Sequence, residues 1–320
     1  MTGGVALALS GGVGGAKLAL GLSSVLGPER LVIVANTGDD FEHLGLQISP
    51  DIDTLLYTLA GINNTETGWG RAAETWSCMT VFETLGGETW FRLGDKDLAL
   101  HLYRTARVNA GASLSEVTEE LRKRLRIGPR VLPMSDQPVR THVETEQGLM
   151  GFQQYFVREG CKPKVRALHF AGADNAQPTT GLSELLRNDG LHATIICPSN
   201  PYLSIDPILA IPGMREAIKR SPAPAIAVSP IVGGRALKGP TAKLMAELGV
   251  RVSAGAIAEH YRDIIDGFVL DRADARLARS IEASGIACSV TNTVMTTLDD
   301  RIQLARDVLG FAGTLRGTIE

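Results

Sequence analysis

Cysteine is scarce and scattered. Cys78, Cys161, Cys197 and Cys288 form no C-x-x-C pair, which excludes the common zinc and redox spacings and any disulfide framework. They read as small buried hydrophobes in a reducing cytosol. Basic excess is absent: 32 Lys and Arg stand against 35 Asp and Glu, for a net charge of −3, so no basic stripe is offered to nucleic acid. The apolar runs are too short to span a bilayer, and the first strand follows Met1 with no basic leader between, so the chain is expected in the cytoplasm. The six histidines show no ligand spacing, and no Ser/His/Asp order or nucleophile elbow points to covalent catalysis. No internal repeat, low-complexity tract or linker divides the chain.

What is present is an ordinary globular composition, 44% hydrophobic and 21% charged over 320 residues. The chain is organised around VALALSGGVGGAK, Val5 to Lys17: an apolar strand, the glycine cluster Ser10, Gly11, Gly12, Val13, Gly14 and Gly15, then a helical pattern from Ala16. Strand, glycine loop and helix in that order can cradle a phosphate with backbone N–H groups, and Lys17 adds a positive charge. The loop fits neither the P-loop, which needs Gly-Lys-Ser/Thr, nor the dinucleotide fingerprint, which needs a third glycine where Lys17 stands. A phosphate site of another type and a plain tight turn both remain open.

Leu31 to Ala35 is a second buried strand, and Ser49-Pro50-Asp51 a helix start with Ser as N-cap. From about 61 to 160 helices dominate: 72–85, 97–109, and 114–125 behind the capping box Ser113/Glu116. Val131–Met134 and Val139–Thr145 are expected to form a short strand pair. Strands then alternate with helices again, at 165–170, 193–197, 225–229, 267–270 and 287–290. These alternations predict one Rossmann-like, doubly wound α/β domain over 1–320 with a mostly parallel sheet and a largely helical insertion at about 61–160.

In such a sheet ligands sit beyond the carboxyl ends of the strands. Ser10–Gly15, Asn36–Asp40, Pro198–Pro201 with Ser199 and Asn200, and Ser229–Gly239 with Gly233, Gly234 and Lys238 are the polar turns there, the last a candidate second anion loop. Asp39, Asp40, Asp51 and Asp53 form an acidic cluster whose oxygens suit Mg²⁺ held with substrate phosphates. Helix-terminal and turn roles account for the same residues, so both readings stand.

Seven stretches in order, SGGVGGAKL, NTGDD, SPDIDTLLY, LGDKD, LPMSDQPVRTHVET, PSNPYLSIDPIL and SPIVGGRALKGPTAKLM, together resemble the 2-phospho-L-lactate transferase family. The resemblance implies a Mg²⁺-dependent homodimer that passes a phospho-acid group (phospholactate, phosphoenolpyruvate or phosphoglycerate) from a guanosine-diphosphate-linked donor to the ribityl hydroxyl of the deazaflavin Fo. Coenzyme F420-0, or a dehydro or glyceryl analogue, forms and GMP leaves. Carried over by motif, Asp51 and Lys96 fall at Fo, and the nucleotide falls over Ser10–Gly15 and near Ser199 and Asn200. Asp40 with Asp51 or Asp53 is the expected metal and catalytic group. Trp69, in a Gly-rich turn between the two inferred Fo stretches, is expected to line the Fo pocket. The alternative is a non-enzymatic, nucleotide-sugar-binding regulator of the gluconeogenesis-factor type, which shares the fold.

Overall fold

A computed structural model describes residues 4–187 and 190–319. Its centre is a seven-stranded parallel sheet. The strands are β1 (Val5–Ser10), β2 (Leu31–Ala35), β3 (Arg130–Pro133), β4 (Leu191–Ile196), β5 (Ala225–Val228), β6 (Gly267–Asp271) and β7 (Ala287–Thr291). Their spatial order is β7-β6-β5-β4-β1-β2-β3. The chain runs outward from β1 through β2 to β3, then returns to β4 on the other flank of β1 and continues outward. The order therefore reverses between β1 and β4, paired in parallel with Leu9 opposite Ile196. A crevice at such a reversal is where doubly wound sheets bind ligands.

Both sheet faces are covered, so the central strands are mostly apolar, with Ser10 ending β1 and His192 and Thr194 the polar positions of β4. Successive side chains point to opposite faces. Ala6, Ala8 and Ile33 meet one helical layer made by α1 (Gly12–Val25), α2 (Pro50–Leu59) and the C-terminal helix. Leu7, Leu9, Val32 and Val34 meet the other layer, which includes Ile205, Ile208, Met214 and Ile257. In α1, Leu18 and Leu22 are wholly buried, each worth about 2 kcal/mol.

The stretch after α2 carries α3 (Ser77–Thr84), α4 (Asp95–Asn109) and α5 (Leu114–Arg124) before β3. Both halves of the Ser113/Glu116 capping box are formed. The last helix, α6 (Leu298–Ile319), packs with α1. Among the described residues no helix is long and apolar enough to cross a membrane.

Three expectations need correction. The helix expected from residue 72 begins at Ser77, because Ala73 holds a positive φ of 52° and Asp95 accepts the Ser77 and Cys78 amides. Val131–Met134 does not pair with the strand that follows; β3 lies parallel to β2 at the sheet edge. Val165–Ala171 is not in the main sheet: it pairs antiparallel with Arg140–Thr145, which also pairs with Gly148–Gly151. Arg166 and His169 give the reason, since both are exposed and so suit an edge hairpin rather than a strand covered on both faces.

Candidate active site

The polar residues expected at the strand ends converge on the crevice between β1 and β4. Asp51, at the start of α2, does not serve its own helix. One carboxylate oxygen accepts the Gly12 amide of α1 at 2.6 Å, and the other accepts Asn36 Nδ2 at 2.9 Å. It thereby caps a helix whose N-cap, Gly11, has no side chain to offer. Gly12 holds φ at +61°, which turns its N–H toward Asp51. The Gly11 amide is taken by Ser199 Oγ at 3.2 Å. A Cβ on Gly11 would crowd Ser204 and Asp51, and one on Gly14 or Gly15 would strike the Pro198 carbonyl or the Ser10 and Ser199 hydroxyls. The glycines thus let α1 close on the β4 turn, and two amides of the expected phosphate cradle are partnered by the protein itself.

Ser49 stands at the N-cap position of α2, as its sequence suggests, yet its hydroxyl donates to Asp40 Oδ2 at 2.8 Å and not to the helix backbone. Asp39 and Asp40 are buried, at 8% and 5% exposure, and Asp39 Oδ1 and Asp40 Oδ1 have no hydrogen-bond partner among the described residues. The same holds for Ser10 Oγ, Thr37 Oγ1 and Asn200 Nδ2, while Asn200 Oδ1 accepts the Tyr202 and Leu203 amides. Orphaned buried polar atoms are costly, and these five lie on the turns at the carboxyl ends of β1, β2 and β4.

Burial dominates the electrostatics. Desolvation pushes the Asp40 carboxyl up to about 7, against the pull of Arg140 and of the Ser49 bond. Desolvation lifts Asp51 to about 6, opposed by its bonds from Asn36 and Gly12. Asp39 rises well above the usual range, through burial first and then the neighbouring Asp51. Three carboxyls of raised proton affinity side by side are a functional-site signature.

Asp53 stands apart from that role. Both of its oxygens are held by the wholly buried Arg104 of α4, one Nη1 bond being 3.1 Å, with His101 Nδ1 at 3.7 Å. Two residues along a helix point to different faces, so Asp51 reaches the crevice while Asp53 reaches α4. Among the described residues no three His, Cys, Asp or Glu side chains form a metal cage. Asp39, which feels both Asp51 and Asp40, and Asp40 keep the unpartnered carboxylate oxygens of this crevice.

The remaining expected contacts are dispersed. Gly233 and Gly234, at φ +56° and +73°, form a two-residue hairpin turn between Ile231–Val232 and Arg235–Ala236. The Gly233 amide donates to the buried Asp274 at 2.7 Å, so this loop's amide holds an anion supplied by the protein. Lys96 is exposed, and its amine donates to the Ala73 carbonyl at 2.6 Å. Trp69, 54% exposed, lines a cavity that neither Asp51 nor Lys96 lines. Lys17 lines that cavity too, its amine donating to the Met295 carbonyl at 2.8 Å. Asn36 lay in the strand-end turn read from the sequence, whereas the buried Arg104 that holds Asp53 had no spacing signal to announce it. Asp39 lay in the acidic cluster read from the sequence, but its burial was not legible there.

A doubly wound α/β sheet with buried carboxyls at its switch point defines a protein of the ligand-binding α/β class. A solved UPF0052-family protein from Bacillus halodurans shares the fold, with TM-score 0.61 and 16% identity, covering 97% of this chain and 99% of that one. The family described as 2-phospho-L-lactate transferase CofD matches residues 6–303. A phosphoenolpyruvate transferase from Kitasatospora aureofaciens is 43% identical, covering 97% of this chain and 98% of its own. A 2-phospho-L-lactate transferase from Methanosarcina acetivorans is 38% identical, covering 96% and 99%. The chain belongs to the 2-phospho-L-lactate transferase CofD family, and it is a transferase.

Proposed function

We propose that this transferase moves a phospho-acid group from a guanosine-diphosphate-linked donor to the terminal ribityl hydroxyl of Fo, giving coenzyme F420-0 or its dehydro or glyceryl analogue. Phosphoenolpyruvate is the acid we favour, because the relatives bearing that name match more closely than those named for phospholactate. The acceptor oxygen attacks the phosphorus that carries the acid, the anhydride bond to GMP breaks, and the hydroxyl proton leaves for a base. Such a transfer needs positioning and charge neutralisation more than covalent help.

The observation that carries this reading is the pair of unpartnered buried oxygens on Asp39 and Asp40 at the switch point. Asp40 with Asp51 would hold Mg²⁺, which when bound neutralises charge on the donor diphosphate. We assign Asp39, whose Oδ1 is unpartnered beside Asp40, as the base that takes up the acceptor's proton. Donor phosphates lie over the Ser10–Gly15 loop beside Ser199 and Asn200. The resemblance further suggests a cytoplasmic homodimer. Mass spectrometry of products from purified protein, Fo, Mg²⁺ and a panel of guanylated donors tests the reading; absence of a deazaflavin product with every donor would favour a nucleotide-binding regulator instead.

Two further outcomes follow at this site. Val in place of Gly12 must hold a β-branched side chain at positive φ, at a cost of roughly 1–2 kcal/mol. Gly12→Val is expected to weaken donor binding while Fo binding survives, read by titration calorimetry with each ligand. Equal loss of both, with a lower melting temperature, would mark the loop as structural only.

Trp69 leaves more than half of its surface open to a flat ligand. Fo is expected to quench tryptophan fluorescence, and Trp69→Leu to remove most of the quench and weaken Fo by roughly 1 kcal/mol, the scale of one aromatic contact. An unaltered quench and affinity would exclude the residue.

A further inference from the structure

Next to the acidic crevice lies a pocket of opposite charge. A cavity of about 140 Å³ opens between α1, α2 and the 63–70 loop, and its lining includes Lys17, Lys238 and Arg301 but no carboxylate. Among the described residues none of the three cations forms an ion pair, and Arg301 Nε is buried without a partner. Lys238 comes from the turn after the Gly233-Gly234 hairpin and reaches so close to Gly68 that a Cβ there would strike its amine. Burial, then Arg301 and Lys238, lower the proton affinity of Lys17. Asp300, next to Arg301 in the chain, offsets part of one charge, and the excess of cations still repels unless an anion joins it.

The pocket adjoins the reaction crevice along two helices. Asp51, Thr54 and Thr58 stand at i, i+3 and i+7 on one face of α2, and the two threonines line the cavity. At 1.5 Å per residue the cavity wall lies roughly 5–10 Å from Asp51 along the helix. On α1, Gly12 donates to Asp51, and its neighbour Val13 lines the cavity with Lys17 one turn further on. A ligand whose phosphorus sits by Asp40 and Asp51 can therefore extend a second anionic group into the cations. In a phospho-acid the carboxylate is only a few bonds from the phosphorus.

We propose that the Lys17, Lys238 and Arg301 pocket binds the carboxylate of the phospho-acid being transferred, so that these cations select an acidic donor over a neutral one. The inference rests on the transfer reading given above. Arg301 supplies a planar fork that suits a carboxylate, and the two lysines supply point charges.

The test compares two donors that share a diphosphate and guanosine: lactyl-diphosphoguanosine and the ethyl ester of GDP, which lacks the carboxylate. Binding is followed by tryptophan fluorescence and turnover by deazaflavin product. The wild type is expected to bind the lactyl donor on the order of tenfold to a hundredfold more tightly, the scale of charge-assisted hydrogen bonds. Lys238→Met, at an exposed position, should lower lactyl-donor affinity on the order of tenfold and leave the ethyl ester within about threefold. Arg301→Met should do the same more strongly. Equal wild-type affinity for both donors, or equal loss of both in Lys238→Met, overturns the proposal while leaving the transfer reading standing. If no guanylated donor, the enolpyruvyl one included, binds or gives product, the transfer reading itself fails, and this inference with it.

Discussion

Asp40→Asn is expected to lower turnover by on the order of 10²-fold or more while making the protein more stable, an effect that grows with pH. The first half follows from the role assigned to Asp40, since removing one charge-stabilising group at a reacting centre costs on that scale. The second half follows from its burial. Its carboxyl titrates at about 7 in the folded chain against a reference value of 3.8. A carboxyl raised in the folded state contributes stability below its unfolded pKa, and that contribution is lost as pH rises through the folded value. At pH 8 both states are ionised, and the burial penalty reaches at most about 4 kcal/mol. At pH 5 the folded carboxyl keeps its proton and only a smaller part of the penalty is felt. Asparagine carries no charge and can still accept from Ser49. The melting temperature of Asp40→Asn should therefore exceed that of the wild type by more at pH 8 than at pH 5, measured by scanning calorimetry without Mg²⁺. Near-normal turnover with unaltered Mg²⁺ dependence would remove Asp40 from the metal site. A stability difference independent of pH would remove the burial argument.

Much of this architecture is legible in the chain because it is set locally. The runs Val5–Leu9 and Leu31–Ala35 are apolar at every position, which suits parallel strands covered on both faces. Ser113 and Glu116 close a capping box within one turn. The hairpin at Gly233-Gly234 was legible too: two glycines between short runs are a type I′ signal, and reading them as an anion loop passed over it.

The site is less legible because its decisive contacts span the fold. Asp51 caps α1 from 39 residues away, and Ser199 reaches Gly11 across 188. The Ser49 cap signal was sound as to position, but tertiary packing diverts its hydroxyl to Asp40. Arg104 and Arg301 sit in helices among many charged residues, and nothing in their spacing shows that one is sealed in the interior while the other faces two lysines. Acidic residues in SPDIDT look equivalent on paper. The helix turns Asp51 to the crevice and Asp53 to Arg104.

That division makes Arg104→Met the variant with the largest expected effect on stability. Arg104 is fully buried, holds both oxygens of Asp53, and also donates to the Gln47 carbonyl at 3.3 Å. Deleting one partner leaves the other carboxylate buried beside only His101 Nδ1 at 3.7 Å. Breaking a buried pair in this way costs about 3–5 kcal/mol, which for a chain of this size lowers the melting temperature by roughly 4–8 °C. The double variant Asp53→Leu/Arg104→Met removes both charges together, and apolar replacement of a whole buried pair is often close to neutral. It should regain most of the lost stability. The pair also acts on Asp40 with opposite signs, Arg104 lowering and Asp53 raising its proton affinity, so removing both leaves the field at Asp40 nearly balanced. Turnover of the double variant is therefore expected within about tenfold of wild type, well short of the loss caused by removing a reacting group. Recovered melting temperature with turnover still down by a hundredfold would restore Asp53 to the chemistry and overturn its assignment as the buried partner that holds α2 to α4.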